Sequence, residues 1–227
     1  MITVTALKWV PDLAKGQVRD YRVRWILKEA GWDYQVRLLD AATLKGEDYR
    51  QLQPFGQVPV LEEDGRPPLF ESGAIVWSIA ERADILLPAD QGVRAQTHNW
   101  MIAALNSVEP HIANMAEARY FLADSEAASA REAQVLPMVR ARLGAMSHIL
   151  ADRTWLADSH FTVADLMMAS VFVIADRLGL LDEWPILQDY LARATSRPAY
   201  RDAVEEQLAE IARHGPADMG WDPADFK

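Results

Sequence analysis

Residues 53–61 and 69–75 constrain the fold of this 227-residue chain more than any other part of it. Pro59 stands just before a short apolar run that is typical of a strand. The acidic run between the two segments ends in glycine and predicts a turn, and residues 68–70 predict the returning strand. Ser72 is a favoured residue at the start of a helix. We therefore expect a β-hairpin that leads directly into a helix.

The same segment carries groups suited to a peptide ligand. A residue before proline is held extended, so the backbone N–H and C=O of Val58 are free to pair with a peptide as an added strand would. A helix N-terminus at Ser72 favours an anion, and the Glu71 and Ser72 side chains suit the ammonium and carboxylate of one amino-acid head group. Taken singly, Pro59 is also explained by a turn, Glu71 by a solvated strand end and Ser72 by an N-cap. Only their joint order and spacing favours a binding site.

Hydrophobic periodicity divides the chain into two kinds of architecture. Strand patterns over 2–7 and 34–39 flank an amphipathic helix that ends near Gly31, and the hairpin and a helix over 72–83 follow. We expect an α/β N-terminal thioredoxin-like domain (βαβ-ββα) and an all-α C-terminal helical bundle. The predicted divisions are residues 1–84 for the first domain, 85–91 for a linker, 92–214 for the helical domain and 215–227 for an irregular tail, whose Trp221 would cover the cleft.

The hairpin and helix motif resembles the thioredoxin-like domain of the cytosolic glutathione transferase superfamily, and the resemblance covers most of the chain. It implies that Pro59 is cis and that Val58 binds the cysteinyl backbone of glutathione. It further implies that Glu71 and Ser72 hold the γ-glutamyl end. Gln57 would approach the glycyl carboxylate.

A second motif of the same family lies at residues 161–166. Thr162 is followed three residues later by Asp165, which predicts a capping box, with Phe161 stapled to Leu166. In the family, this box with its buried aspartate is a folding element of the helical domain. We therefore assign Thr162 and Asp165 to structure.

The chain departs from the family at the group that ionises the glutathione thiol, usually a Tyr or Ser just after the first strand. Residues 8–19 hold no Ser, Thr, Tyr or Cys. Alignment on the following Val-Arg pair puts Gln17 at the place of the catalytic serine. An amide donor at Gln17, the charge of Lys15, or backbone N–H groups at the first helix would each stabilise a thiolate. The alternative for Lys15 is a solvated loop residue, and for Gln17 it is a helix N-terminal residue that contacts no ligand. Thr5 is a weaker candidate, and Tyr21 is expected in the core.

The second substrate is expected between the two domains, under the first long helix of the helical domain. Its predicted wall includes Trp9, Asn106, Ser107 and His111. An aromatic lining accepts flat apolar electrophiles without selecting one. Tryptophan and methionine at helical spacing are more often core residues, and we expect this of Trp100 and Met115. A structural role is the alternative for His111.

Composition excludes several classes of function. The chain has no cysteine, which rules out a disulfide framework and a protein thiol nucleophile, so sulfur chemistry must use the ligand's own thiol. No apolar stretch approaches the roughly 18 residues of a membrane span, and no targeting segment is visible, so we expect a cytoplasmic protein that does not enter membranes. The net charge of −10 argues against nucleic acid, and the five histidines lack metal-ligand spacing, so no metal is expected.

Positive charge is concentrated at the start of the chain. Residues 1–28 carry six basic and two acidic side chains, a net +4, while residues 29–227 carry −14. A local positive field in an acidic protein suits a small anionic ligand. We expect Arg22, Arg24 and Lys28 themselves to lie on the solvated outer face of the first helix.

These observations favour a glutathione transferase that uses glutathione as co-substrate and promotes attack of its thiolate on a small hydrophobic electrophile or a peroxide. The resemblance implies a homodimer and a role in detoxification. An isomerase that uses glutathione as cofactor is not separable from this reading by sequence. The alternative from another class is a non-catalytic glutathione-binding or scaffold protein of the same fold, which the missing hydroxyl supports.

Overall fold

The computed structural model describes residues 1–222, which form two compact units. Unit 1 comprises Met1–Ile85 together with the residues from Arg197 onward, and unit 2 comprises Leu86–Ser196. The predicted domain limits put the last long helix with the helical bundle. In the structure this helix, Pro198–Ile211, packs instead against the first helix of unit 1.

The helices, numbered in chain order, divide between these two units. Unit 1 holds α1 (Asp20–Ala30), α2 (Ala41–Lys45), α3 (Glu47–Leu52), α4 (Ser72–Ala83) and α10 (Pro198–Ile211), with 3-10 turns at Asp12–Ala14 and Pro216–Met219. Unit 2 holds α5 (Gln91–Ala103), a π-helical turn (Ala104–Val108), α6 (Glu109–Tyr120), α7 (Ser125–Leu150), α8 (Val163–Arg177) and α9 (Pro185–Thr195). The predicted irregular tail therefore includes a helical turn, and its last five residues lie outside the described part of the chain.

Unit 1 is built on a four-stranded sheet in the order β2-β1-β3-β4. β1 is parallel to β2 and antiparallel to β3, and β3 is antiparallel to β4. A parallel pair needs a crossover connection, which α1 supplies, whereas β3 and β4 form the predicted hairpin. The predicted thioredoxin-like domain is thus confirmed. The strands are β1 (Ile2–Leu7), β2 (Gln35–Leu39), β3 (Val60–Glu63) and β4 (Leu69–Phe70).

The core of unit 1 lies where α1 and α4 pack together. Tyr21 and Trp25 of α1 and Ile79 of α4 are fully buried, which agrees with the expectation for Tyr21. Tyr200 of α10 adds an edge-to-face contact with Trp25, the ring centroids lying 4.9 Å apart. α1 ends at Gly31, whose φ of 65° closes the helix in the left-handed conformation that glycine adopts readily.

Unit 2 is entirely helical, as predicted, and α8 is its central helix. Every residue from 163 to 172 is buried, which is typical of a helix that is apolar all round. The predicted capping box opens this helix, since the Asp165 carboxylate accepts the backbone N–H and the hydroxyl of Thr162, both at 2.9 Å. The same carboxylate accepts the Leu156 N–H at 2.8 Å and the Tyr190 hydroxyl at 3.0 Å. Asp165 therefore joins α8, α9 and the preceding loop.

Candidate functional site

The loop before β3 contains the predicted cis proline. The Val58–Pro59 peptide bond is cis, Pro59 is buried and Gln57 is exposed. The buried side chain of Gln53 accepts the backbone N–H of Phe55 at 2.7 Å and that of Gln57 at 3.1 Å, which fixes the chain before the proline. The loop is therefore held in one conformation from within unit 1.

The residue before α4 has an unusual backbone. Glu71 has φ 69° and ψ 112°, a conformation that side-chain-bearing residues rarely adopt. Such local strain is typical of ligand-binding positions, where surrounding structure over-determines the backbone. The exposed Glu71 carboxylate and the first residue of α4, Ser72, which is 5 % exposed, lie next to each other at this helix start. A 12-residue helix offers its free N–H groups and the positive end of its dipole at this position.

Arg22 stands behind Ser72. Its guanidinium donates from Nη1 to the Ser72 hydroxyl oxygen at 3.3 Å, and Arg22 is fully buried. Because that oxygen accepts from Arg22, the Ser72 proton is available to another acceptor, and a carboxylate at the start of α4 is the natural partner. The arrangement brings a buried positive charge to the same helix terminus.

The expectation that Arg22 and Arg24 lie on a solvated helix face was wrong. Both are fully buried: carboxylates of α10 pair with Arg24, and Arg22 lies against Ser72 at the start of α4. Arg24 is held by three carboxylates, with distances of 2.8 Å to Asp20, 2.9 Å to Glu206 and 2.6 Å to Glu210. Sequence periodicity missed these contacts because the partners of Arg24 on α10 lie more than 180 residues away along the chain.

The same ion-pair cluster neutralises much of the early positive charge. Lys28, half-buried, pairs with Glu206 at 2.5 Å. Burial raises the pKa of the Asp20 carboxyl although the Arg24 charge opposes the shift. Burial would also raise the pKa of the Glu206 carboxyl, but hydrogen bonds from Lys28 and Tyr34 and the Arg24 charge hold this pKa below its ordinary value. Carboxylates of the same protein therefore neutralise much of the positive charge of residues 1–28, from which the local positive field was inferred.

The loop between β1 and α1 contains both candidate thiol-activating residues. Lys15 pairs with the exposed Asp12 at 2.6 Å, and its ammonium lies 6.0 Å from the centre of the Trp9 ring. Gly16 is buried with φ 74°, and Gln17 is half-buried at the following position. A charge already paired with a carboxylate stabilises a nearby anion less than a lone charge would.

Trp9, a predicted wall residue of the second-substrate site, is mostly buried. It belongs to an apolar cluster of unit 1 with Val10, Ile211 and Met219. Trp221 packs edge-to-face on it, with ring centroids 6.1 Å apart. Trp221 therefore covers Trp9 within unit 1, and little of the Trp9 ring is left for a ligand.

The other predicted second-substrate residues lie in unit 2 at the π-helical turn. Asn106 and Ser107 are exposed within Ala104–Val108, and His111 is half-buried in the first turn of α6. A π-turn displaces side chains from regular helical positions and is frequent at functional sites. Met115 is fully buried, as expected of a core residue, whereas Trp100 is half-buried.

Residues 1–222 were also compared with the requirements of a metal site and of a membrane span. Within that range, no group of three or more His, Cys, Asp or Glu side chains is placed to bind a metal ion. None of the helices in the same range has both the length and the apolar character that crossing a membrane requires.

Comparisons with known proteins identify the family of this chain. The family profile for the glutathione S-transferase N-terminal domain matches residues 14–81, and the profile for the C-terminal domain matches residues 108–198. The chain therefore belongs to the glutathione S-transferase family. Its 191-residue match to maleylacetoacetate isomerase from Pseudomonas aeruginosa is 30% identical and covers 81% of this chain and 89% of that protein.

Two solved structures share the fold. A glutathione S-transferase from Xanthobacter autotrophicus aligns with a TM-score of 0.75 and 25% identity, covering 88% of this chain and 95% of that one. Ure2p in complex with glutathione aligns with a TM-score of 0.77 and 21% identity, covering 90% and 93% of the two chains.

Proposed function

We propose that this protein binds glutathione on unit 1 and promotes attack of its thiolate on a small hydrophobic electrophile or a peroxide. The observation that carries the proposal is the combination of the cis Val58–Pro59 peptide bond with a strained Glu71 and a buried Ser72 at the start of α4. A peptide with a free amino-acid head group suits both features, since its backbone can pair with Val58 and its head group can bind at the helix start.

Each end of the tripeptide has a candidate partner. The γ-glutamyl carboxylate would accept from the Ser72 hydroxyl and the α4 N–H groups, with Arg22 adding charge from behind. The γ-glutamyl ammonium would meet the exposed Glu71 carboxylate. The cysteinyl backbone would pair with Val58, and the glycyl carboxylate would lie towards Gln57.

The chemical step requires an ionised thiol. The thiol proton leaves to solvent; on carbon, the sulfur electron pair forms the new bond and the leaving group departs with its bonding pair. On a peroxide, the sulfur attacks one oxygen, the O–O bond breaks and the departing alkoxide takes a proton from solvent. A second glutathione then converts the sulfenic acid to the disulfide and water. Gln17, Lys15 and the N–H groups that begin α1 are the candidates for stabilising the thiolate. Asn106, Ser107, His111 and Trp9 stay the candidates for contacting the electrophile, although the burial of Trp9 leaves it the least accessible of them.

A second candidate reaction is an isomerisation in which glutathione adds to a double bond and is then eliminated unchanged. The 30% identity to a maleylacetoacetate isomerase favours this candidate. It needs the same thiolate, and so the same site. A non-catalytic glutathione-binding or scaffold role is supported by the absence of any hydroxyl or thiol side chain in residues 8–19.

The deciding experiment follows the ultraviolet thiolate absorbance of glutathione bound to the purified protein as pH is varied. Binding with a thiol pKa well below that of free glutathione would support the enzyme, whereas binding with an unshifted thiol would favour the scaffold role. Ser72→Ala should weaken binding, while Ser170→Ala, which alters a fully buried serine of unit 2, should not. No binding by the wild-type protein would overturn the whole proposal.

The proposal includes a cytoplasmic homodimer, as the family resemblance implies. Light scattering coupled to size exclusion measures the mass of the particle directly. A particle of about twice the chain mass of 25.5 kDa would agree, and a monomer would remove the dimer from the proposal.

A further inference from the structure

A hydrogen-bond relay connects the backbone on the two sides of the Val58–Pro59 peptide bond through the side chains of Thr5 and Tyr49. The Val60 backbone N–H donates to the Thr5 hydroxyl oxygen at 2.7 Å. The Thr5 and Tyr49 hydroxyl oxygens are 3.0 Å apart, and the Tyr49 hydroxyl donates to the Gln57 carbonyl at 2.7 Å. The relay therefore starts at Val60, after the cis bond, and ends at Gln57, before it.

The direction of each bond in this relay is fixed. A phenol has one proton, and Tyr49 gives it to the Gln57 carbonyl. The Thr5 hydroxyl must therefore donate to Tyr49, while its oxygen accepts the Val60 N–H. Both side chains are buried, and burial raises the pKa of the Tyr49 phenol, which keeps it in the protonated form that donates.

The relay leaves one peptide segment open. Gln57 is engaged through its carbonyl by Tyr49 and through its N–H by Gln53, and Val60 is engaged by Thr5. Within residues 1–222 no hydrogen bond engages the backbone N–H or C=O of Val58. The groups on either side of Val58 are thus fixed, and its own groups are available to a ligand.

Space around the loop is restricted as well. A Cβ atom added at Gly56 would come within 2.8 Å of the Leu44 carbonyl oxygen, and Gly56 has φ 65°. The loop is therefore tightly packed against the Leu44 backbone one residue before Gln57. A loop packed this closely responds to the loss of one anchor by a small shift of its backbone.

We propose that Thr5 and Tyr49 are positioning residues for glutathione binding, which hold the Val58 N–H and C=O at the spacing that a bound peptide backbone requires. The inference rests on the proposed function. Neither hydroxyl touches the ligand; both act through the loop. Thr5 was a weak candidate for thiol activation in the sequence, and the relay gives its hydroxyl a different role, while Tyr49 lies in a helix that no motif marked.

The test measures binding of S-methylglutathione, which carries no ionisable thiol, by calorimetry. Tyr49→Phe removes one hydroxyl from the end of the relay, where solvent can reach the exposed Gln57, so the variant should fold. We expect its dissociation constant to rise about five- to tenfold, the factor that one lost hydrogen bond typically gives. Thr5→Val should act in the same direction, and Thr5→Ser, which keeps the hydroxyl, should restore most of the affinity.

Tyr190→Phe is the matched control, because it removes a buried tyrosine hydroxyl from unit 2. It should lower the melting temperature and leave the dissociation constant unchanged. A second ligand, S-methylglutathione methylated on the cysteinyl amide nitrogen, removes the N–H that would pair with the Val58 carbonyl. If the relay acts through Val58, the loss of affinity from the Tyr49→Phe substitution and the loss from N-methylation are less than additive. N-methylation then raises the dissociation constant of the Tyr49→Phe variant by a smaller factor than it raises that of the wild type.

Two outcomes would overturn the inference. One is a Tyr49→Phe variant whose affinity stays within about twofold of a wild type that does bind. The other is full additivity between the Tyr49→Phe and N-methyl losses, which would mean that Tyr49 acts elsewhere. A wild type that binds neither ligand would instead overturn the proposed function, so the two failures are distinguishable.

Discussion

The Arg22 guanidinium and the Ser72 hydroxyl are joined by a hydrogen bond of 3.3 Å although 50 residues separate them in the chain. The bond links the buried face of α1 to the N-terminus of α4. It gives the hydroxyl at the first position of α4 a buried cation as its donor, which leaves the Ser72 proton for a ligand. Arg22 should therefore matter to ligand binding as well as to the core.

Replacing Arg22 should weaken glutathione binding by about tenfold, because both the charge and the orientation of the Ser72 hydroxyl are lost. Arg22→Met keeps much of the side-chain volume, and titration calorimetry gives the affinity. Ser72→Ala should cost less in the Arg22→Met background than in the wild type, since the two residues act together. Equal costs in the two backgrounds would show that Arg22 acts independently of Ser72.

Gln207 of α10 ties the start of α1 to the last helix. Its amide donates to the Val18 carbonyl at 3.0 Å and to the Asp20 carboxylate at 2.8 Å. Gln207→Leu should lower the free energy of unfolding by about 1–3 kcal/mol, because buried acceptors lose their donor. Denaturant titration measures the change, and Gln96→Leu on the exposed face of α5 serves as the control with little effect. A Gln207 variant as stable as the control would contradict this role.

The Glu206 carboxylate should stabilise the fold at neutral pH and lose that effect in acid. Its folded-state pKa lies below the unfolded value near 4.5, so its contribution is present above that pH and is lost as the pH falls through the folded value. Asp20, in the same cluster, shifts in the opposite direction, so the wild type alone does not isolate Glu206. The difference in unfolding free energy between wild type and Glu206→Gln should be largest near about pH 7 and shrink towards about pH 3. A constant difference would exclude this linkage.

Asp165 should contribute more to stability than the cap residue beside it. Asp165→Ala breaks four hydrogen bonds and should cost about 2–4 kcal/mol, whereas Thr162→Ala should cost about 0.5–2 kcal/mol. Both variants should bind glutathione with unchanged affinity in whatever fraction folds. Parallel unfolding and binding measurements separate stability from affinity. A loss of glutathione binding without a loss of stability would show that Thr162 and Asp165 belong to the binding site.

The Asp12–Lys15 ion pair makes the role of Lys15 testable. Asp12→Asn releases Lys15 from this partner and should lower the thiol pKa of bound glutathione, whereas Lys15→Met should raise it. The thiolate absorbance titration measures both shifts. If neither variant moves the thiol pKa, Lys15 has no part in activation. Gln17→Ala in the same assay then tests whether an amide donor carries the role.

Local patterns predicted those parts of the protein that depend on neighbours in the chain. The order Val58–Pro59, hairpin, Glu71 and Ser72 located the cis proline, the hairpin and the start of α4, and Thr162 marked the opening of α8. Each of these depends on turn, proline or capping chemistry within a few residues.

Contacts between distant segments were out of reach of the same patterns. The charges of Arg22 and Arg24 suggested a solvated face, because nothing near α1 in the sequence reveals Ser72 as a partner of Arg22 or the α10 carboxylates as partners of Arg24. Tyr49 was missed for the same reason, since its partner Thr5 lies on another element. Thiol activation stays a prediction because a backbone donor leaves no side-chain mark.

The return of the segment from Arg197 onward to unit 1 has a consequence for synthesis on the ribosome. The chain makes Arg24 early, but the Glu206 and Glu210 carboxylates that pair with it emerge only after all of unit 2 has been translated. At about 5–20 residues per second, translation from Ile85 to Glu206 takes about 6–24 s, and during that time Arg24 has only Asp20 of its three carboxylate partners. Unit 2, continuous in the chain, has no such delay. A nascent chain halted before α10 should therefore hold a folded unit 2 beside a unit 1 that is still open to proteases and chaperones.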